Sequence, residues 1–443
     1  MTAALAFAPS FPAPAGQGTR YMPYWQDTAA PFAGGAQGPA TGRFDAAVIG
    51  GGFTGLAAAR KLALRGMRVA VLEAGSVGAG ASGRNGGHVN NGLAHSYLAA
   101  SEAWGPETAA ALYRAFDAAV DTVERVIGEE GIACDFRRSG KLKLAAKPSH
   151  YEGLARNYEA MRREVDTDLE LLGPGDLSRE IGSGAFHGGL VMRRSAQMHM
   201  KRYSTGLAAA AVRHGATIWE DAPVTGLRAR DGGHAVVTAR GTIQADRVLL
   251  ATGASTSGPF SWVRRRIVPV GSFIIATRPL SASEVDDILP GRRNCTTSLN
   301  VGNYFRLSPD DRLIFGGRAR FTASIDPRKD AQACEILQAA LAEIFPQLAG
   351  IGIDYCWGGI VDMTRDRLPR AGRRDGVWHA MGYSGHGAQM ATHLGEIMAE
   401  EMAGGVAANP FAGLPWKAVP GHFGKPWFLP AVGLYYRALD RLG

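Results

Sequence analysis

Residues 44–55, FDAAVIGGGFTG, constrain the fold more than any other stretch. FDAAVIG is a short apolar run of the kind that makes a buried parallel strand. GGFTG is a turn, and LAAARKLALRG is an alanine- and leucine-rich helix closed by Gly66. MRVAVLEAG then gives a second strand. Strand, tight turn, helix and strand within about thirty residues make a βαβ unit with a parallel sheet. Gly50, Gly52 and Gly55 satisfy G-x-G-x-x-G where that pattern carries meaning, after a strand and opening a helix. Glu73 ends the second strand about 20 residues beyond the middle glycine, where a ribose-binding carboxylate belongs. Such glycines let backbone N–H groups meet a pyrophosphate at a helix N-terminus. A dinucleotide site is the expectation.

The rest of the chain is compatible with a soluble enzyme. Its 443 residues are 46% hydrophobic and 20% charged, enough for a large core in two or three domains. The net charge of +8 sits on scattered arginine pairs rather than on one basic face, which argues against a nucleic-acid partner. Cys134, Cys295, Cys334 and Cys356 are far apart with no CxxC pair, so no metal site is expected and free thiols are. The N-terminal run is broken by Pro9, Pro12 and Pro14, and no segment is long and apolar enough to span a membrane. A cytoplasmic location is the expectation.

Further elements follow from periodicity. PETAAALYRAFDAAVDTVERVIGEEG places Leu112, Phe116, Val120 and Val123 on one helical face. SHYEGLARNYEAMRREV and Lys201–Gly215 are also helical, and residues 216–255 read as a small meander returning to the sheet through VLLATG. Residues 268–323 are strand-rich.

Three more motifs bear on the site. AGASGRNGGHVNNG, residues 79–92, has five glycines, too many for a stable helix, and is too polar for a core strand. VLLATGAS ends an apolar strand in Thr252 and Gly253. GYSGHG, residues 382–387, is a glycine-rich turn before the helix QMATHLGEIMAEEMAGG, and so offers N–H donors and partial positive charge.

Taken in order, GGGFTGLAAARKLALRG, VAVLEAG, GASGRNGG, VLLATGA, WGG and GYSGHG resemble the FAD-dependent D-amino-acid oxidase and glycine oxidase superfamily. Within it the chain is most similar to the bacterial γ-glutamylputrescine oxidase branch. The resemblance extends to the N-terminal PYW and the tail PGHFGKPWFLPAVGLYYRALDRL. It implies an α/β fold (α+β overall): a discontinuous Rossmann-like FAD-binding domain of the glutathione-reductase type, and a second, mixed-sheet substrate domain. The expected division is an arm at 1–42, the FAD-binding domain at 43–135, 195–265 and 355–405, the cap at 136–194 and 266–354, and a tail with a terminal helix at 406–443.

The resemblance also implies residue roles. Glu73 and Ala74 would meet the adenosine ribose, and Gly50, Gly52, Phe53, Thr54 and Gly55 the pyrophosphate. Ala81, Ser82, Gly83, Arg84, Asn85, Gly86 and Gly87 would run beside the flavin. Val224 would meet the adenine, with Thr252 and Gly253 continuing the contact. Gly382, Tyr383, Ser384, Gly385, His386 and Gly387 would cap the ring. The loop after WGG has no cysteine, so noncovalent FAD is expected, and IVPVGSFIIA lacks the lysine that sarcosine-oxidase relatives place near the flavin.

Flavin oxidation of an amine needs a neutral nitrogen, an aimed C–H bond and a dry face. His88, Tyr304, Arg306, Trp357, Tyr383 and His386 are the catalytic-side candidates, with Trp262 and Phe305 as further aromatic walls. Arg306 is suited to a substrate carboxylate. The expected reaction converts an amine to an imine that hydrolyses to an aldehyde plus amine or ammonia, with electrons passing to oxygen or another acceptor. The alternative is an oxidase or dehydrogenase of D-amino acids or N-methylglycine; a flavin-bearing nucleic-acid modifier is a distant third.

Overall fold

A computed structural model describes residues 18–255, 257–323 and 330–442. Residues 1–17 of the expected arm and 324–329 of the expected cap lie outside them.

The βαβ unit forms as its sequence predicts. The strand Gly42–Ile49 runs parallel to Val69–Leu72 and to Gly241–Leu250. Thr217–Trp219 and Val377–Met381 extend this parallel sheet at its two sides, and Arg370–Arg374 adds an antiparallel edge. Only Val224–Arg230, Gly233–Thr238 and Gly241–Leu250 make the antiparallel meander; Thr217–Trp219 leaves it to pair with Val69–Leu72. The helix Phe53–Leu64 is buried along nearly its whole length, because alanines let it lie close to the sheet on one side and to the helices Met200–Arg213 and Gly387–Met402 on the other. Pro106–Glu130 is the long amphipathic helix, with Leu112, Phe116, Val120 and Val123 all in the core.

The second sheet has eight strands, in the order Ile353–Met363, Val268–Pro279, Arg312–Gly317, Asn303–Leu307, Asn294–Thr297, Lys141–Leu144, Gly189–Met192 and Leu169–Leu172. All neighbours are antiparallel except Asn294–Thr297 with Lys141–Leu144. Alternation gives it two unlike faces. Leu142, Leu144, Phe273, Cys295, Phe305 and Cys356 pack on one face with the helix Asp330–Ile344. The other face turns Ile274, Ile314 and Trp357 into the core of the first unit.

The expected boundary at residue 355 is corrected here. Ile353–Met363 pairs along Val268–Pro279 in the second sheet, and the chain returns to the first only at Arg370–Arg374. The WGG segment therefore lies within a cap strand. The arm is also less irregular than its sequence suggests: Tyr24–Asp27 is a short helix whose Tyr24 and Trp25 are buried. The tail ends in the helix Leu429–Leu442, held to the cap where the Asp440 carboxylate accepts from the Asn300 and Val301 backbone N–H groups.

Candidate active site

The first glycine turn is a space-filling device. A Cβ on Gly55 would overlap the carbonyl of Gly50, and one on Gly50 would meet the carbonyl oxygen of Ala251 at 2.5 Å. Strand end, helix start and the strand ending in Ala251 therefore close on one another only with glycine there. The helix Phe53–Leu64 has no cap from its own Gly52. Instead the Phe53 N–H donates to Ser82 Oγ at 3.0 Å, which ties the second glycine loop to the first.

Glu73 stands at this junction. Its carboxylate accepts from the N–H of Gly51 at 2.6 Å and of Gly75 at 2.9 Å. Burial pushes its pKa up against the pull of these bonds. Each carboxylate oxygen keeps a second acceptor site, so two ribose hydroxyls fit without displacing a protein donor. The Thr252 hydroxyl is buried with no partner, which suits a ligand passing between Gly50 and Gly253. These residues fit an FAD. Val224 begins the strand that follows the segment paired with Glu73, whose backbone carbonyl accepts from Ala222 N–H at 2.8 Å. Ala74 follows Glu73 directly.

The loop Ala81–Gly87 is held from behind by three buried side chains. The Trp357 indole N–H donates to the carbonyl of Arg84 at 2.8 Å, Trp25 to that of Asn85 at 2.7 Å, and Arg306 Nε to that of Gly86 at 2.8 Å. Successive carbonyls are thus fixed from three separate parts of the chain. Gly87, with φ +81°, passes so close to the Arg306 guanidinium that a Cβ would overlap it. The Arg84 side chain is folded back onto Ala79 and Gly358 carbonyls, at 2.9 and 3.0 Å. Asn85 braces the loop itself, accepting from Gly87 N–H at 2.9 Å and donating to the Ser82 carbonyl at 3.0 Å. Ala81–Gly83 is a single 3₁₀ turn.

This arrangement corrects several expected roles. Arg306 is 1% exposed, and its remaining donors reach the Met198 and Leu307 carbonyls at 2.9 and 3.0 Å. Its guanidinium lies 5.0 Å from the Trp25 ring centre, and burial pushes its pKa down to about 9. It braces the loop and is closed to a substrate carboxylate. Trp357 is likewise 1% exposed and acts through Arg84. The Tyr383 hydroxyl lies 2.6 Å from the Thr54 hydroxyl, joining the start of the first helix to the GYSGHG turn inside the core. Phe305 faces the far side of the second sheet, stacked on Phe315, and Trp262 packs on His379 and Trp416. Of the expected aromatic walls, Tyr304 meets the loop: a Cβ on Gly86 would lie 2.8 Å from its ring.

The segment that follows the loop, and the helix Gly387–Met402 in contact with it, hold polar atoms with no partner among the described residues. His88 lies edge-on to Tyr304, ring centres 5.3 Å apart, and its Nε2 is buried without a partner. Burial, with the Arg306 charge behind it, pushes the imidazole down to about 3. His386, at the N-terminus of Gly387–Met402, has an orphaned Nδ1 and is also pushed down to about 3, chiefly by burial. Gln389 Oε1 has no partner, while its amide donates to the Asn90 carbonyl. Tyr304 holds its hydroxyl 3.0 Å from Ser272 Oγ.

One organising residue escaped the sequence reading. The Asp362 carboxylate accepts from Gly382 N–H at 2.7 Å, Ser384 N–H reaches the Asp362 carbonyl at 3.2 Å, and Ser384 Oγ accepts from Thr364 N–H at 3.1 Å. Burial raises the Asp362 carboxyl to about 6 against these bonds. Asp362 therefore shapes the turn at residues 382–384. An acidic residue three positions after WGG was the available signal, but nothing local says that it turns back onto residues 382–384. Trp25 was missed for the same reason.

The chain resembles known proteins along most of its length. A family profile described as "DAO: FAD dependent oxidoreductase" matches residues 45–401. The chain is 33% identical over 406 residues to "Probable oxidoreductase OrdL" of Haemophilus influenzae, covering 90% of this chain and 92% of that protein. It is also 33% identical to "Gamma-glutamylputrescine oxidoreductase" of Escherichia coli (strain K12), covering 90% and 93%. The crystal structure of glycine oxidase from Geobacillus kaustophilus superposes with a TM-score of 0.72 at 24% identity, covering 86% of this chain and all of that one. With its strand–glycine turn–helix unit and a profile match across most of its length, the chain belongs to the DAO family of FAD-dependent oxidoreductases.

Proposed function

We propose that this enzyme oxidises the C–N bond of an amine, a γ-glutamylputrescine-type or related polyamine or secondary amine, to an imine that water converts to an aldehyde plus amine or ammonia. The observation that carries the reading is a set of acceptors without partners among the described residues, on the strand after the loop and the helix that meets it: His88 Nε2, His386 Nδ1 and Gln389 Oε1. Both imidazoles are held neutral by burial, and a neutral imidazole nitrogen without its own proton accepts a hydrogen bond. Acceptors of this kind orient an amine N–H, while burial of the site disfavours the ammonium and so leaves the neutral amine, which has the lone pair that the forming C=N bond needs. The named relative and the glycine oxidases among the similar proteins support the reaction class.

FAD, when bound, supplies the acceptor for the hydride leaving the carbon beside nitrogen. The chain's own residues supply placement. Glu73 and the first glycine turn would hold the adenosine and pyrophosphate end, and the braced Ala81–Gly87 backbone would lie along the flavin end. Tyr304 and His88 close the opposite face against water. As the C–H bond breaks with its electron pair, nitrogen loses a proton, and the neutral imidazole of His88 or His386 is positioned to take it. Oxygen is the proposed final acceptor, reduced to hydrogen peroxide. FAD is proposed to be noncovalent, because Cys356 faces the far side of the cap sheet from Trp357.

Anaerobic mixing with amines tests this directly. Bleaching of the flavin by polyamines, γ-glutamylated amines or secondary amines is the expected result. Bleaching by NAD(P)H but by no amine would overturn it, and bleaching confined to D-amino acids or N-methylglycine would move the enzyme to the amino-acid oxidase class. Peroxide production in air separates oxygen from other acceptors.

A further inference from the structure

The tail helix Leu429–Leu442 is mounted with its apolar side outward. At about 100° per residue, Leu429, Val432, Gly433, Tyr436 and Asp440 share one side. That side meets the cap. A Cβ on Gly433 would lie 2.6 Å from the Phe321 ring, Leu429 packs with Val268 and Val270, and the Asp440 carboxylate accepts from the Asn300 and Val301 N–H groups at 2.9 and 2.8 Å. The opposite side carries Ala431, Leu434, Tyr435, Ala438 and Leu442, all exposed, with Leu434 at 68% and Leu442 at 87%. A surface helix ordinarily buries its leucines and shows its acids. Here the acid is turned in and the leucines out. A single exposed leucine needs no explanation, but a row along three turns marks a face that something else covers.

The turn before the helix continues the pattern. Phe423 and Trp427 are both exposed, and the Arg265 guanidinium lies 5.3 Å from the Phe423 ring centre. Charge in this region has one sign. Residues 411–442 contain Lys417, Lys425, Arg437 and Arg441 against the single acid Asp440, which is spent on the cap. None of these four cations makes an ion pair among the described residues. Elsewhere on the surface, Arg138, Arg193 and Arg278 each hold a carboxylate. By helical position, Arg437 and Arg441 lie along one edge of the exposed apolar row.

We propose that this face docks the enzyme on an anionic lipid surface, with the helix lying in the headgroup plane and its leucines toward the acyl chains. Leucines on one face and cations along its edge are the pairing that an interfacial helix needs, and exposed tryptophan and phenylalanine suit the water–lipid boundary. Unpaired arginines and lysines there meet lipid phosphates. The helix has 14 residues, too short to cross a bilayer, so it lies along the surface. Pairing with a second copy fits less well. A two-fold contact through this face would bring the same cations together, and the tail has no exposed acid to receive them.

Co-sedimentation of the full-length holoenzyme with vesicles tests the proposal. Binding to phosphatidylglycerol–phosphatidylcholine vesicles is expected to be at least about tenfold tighter than to phosphatidylcholine alone, and to weaken as salt is raised. Leu442→Gln should lower affinity for the mixed vesicles by about tenfold or more, and Arg441→Gln by about fivefold, with Arg441→Lys retaining it. Flavin content and thermal unfolding should not change in these variants, because the side chains are exposed. Trp427→Phe should abolish a vesicle-induced blue shift in tryptophan emission. Equal binding to neutral and anionic vesicles, binding to neither, or unchanged binding in Leu442→Gln would each overturn the proposal. A dimer that dissociates in Leu442→Gln, with no vesicle binding, would assign the face to a second copy instead. Vesicle binding seen only after removal of residues 1–17 would assign it to the chain's own N-terminal segment.

Discussion

The Ala81–Gly87 loop and the segment beyond it are built by opposite rules. Behind it, three successive carbonyls each accept from a different buried donor, Trp357, Trp25 and Arg306. Beyond it, where the strand His88–Val89 meets the helix Gly387–Met402, His88 Nε2, His386 Nδ1 and Gln389 Oε1 are buried without partners among the described residues. Buried polar atoms are almost always satisfied, so an unsatisfied group of them on one side marks where the protein leaves room for something else. The satisfied side sets position and the unsatisfied side sets chemistry. Substitutions behind the loop should therefore lower stability and flavin content together, whereas those beyond it should change ligand response at nearly constant stability.

The largest effect is expected from Arg306→Met. It leaves the Gly86, Met198 and Leu307 carbonyls without their donor in a dry site, costing about 3 kcal/mol or more. Thermal unfolding and flavin-to-protein ratio should fall together; a stable, fully flavinylated variant would break the comparison. Glu73→Ala comes next, with FAD affinity lower by about 10–100-fold and the fold retained. Fluorescence titration of FAD into the deflavinated protein measures it, and unchanged affinity would contradict the ribose role.

Acid should act beyond the loop. His88 and His386 have folded pKa values of about 3, below the unfolded value near 6.5, so the unfolded chain takes up protons first as pH falls. Their contribution is intact above pH 6.5 and is lost between there and about 3. Asp362, raised to about 6, works the other way between about 4 and 6, so single variants are needed to separate them. His386→Gln should flatten the acid limb by at most about 1.4 kcal/mol per pH unit in urea unfolding across pH. A limb as steep as before would show that His386 is not held neutral. Trp25→Phe keeps the ring but removes the donor to Asn85, costing about 1 kcal/mol in denaturant unfolding.

The βαβ unit was legible from sequence because every determinant is local. Gly50, Gly52, Gly55 and Glu73 carry their meaning through spacing along some thirty residues, as such motifs do. Tyr383 and Arg306 were misjudged for the converse reason. Each has the right chemistry for a ligand, and only the partner's position, 329 residues away at Thr54 and 220 at Gly86, shows that the side chain is already engaged. The cap boundary failed similarly, since whether Ile353–Met363 joins one sheet or the other depends on pairing with Val268–Pro279.

The short arm helix adds a consequence in time rather than space. Trp25 leaves the ribosome before any other part of the loop it braces, yet its companions there, Arg306 and Trp357, come some 300 residues later. Arg20, in the same arm, pairs with Tyr355 and donates its N–H to Asp354 at 2.8 Å. This earlier-made segment is therefore locked late, as contacts of such separation must wait for the intervening chain. Until it docks, the flavin loop has one of its three braces missing. Uptake of FAD should accordingly lag behind formation of the βαβ unit during refolding, and the lag should lengthen when the arm is burdened at its N-terminal side.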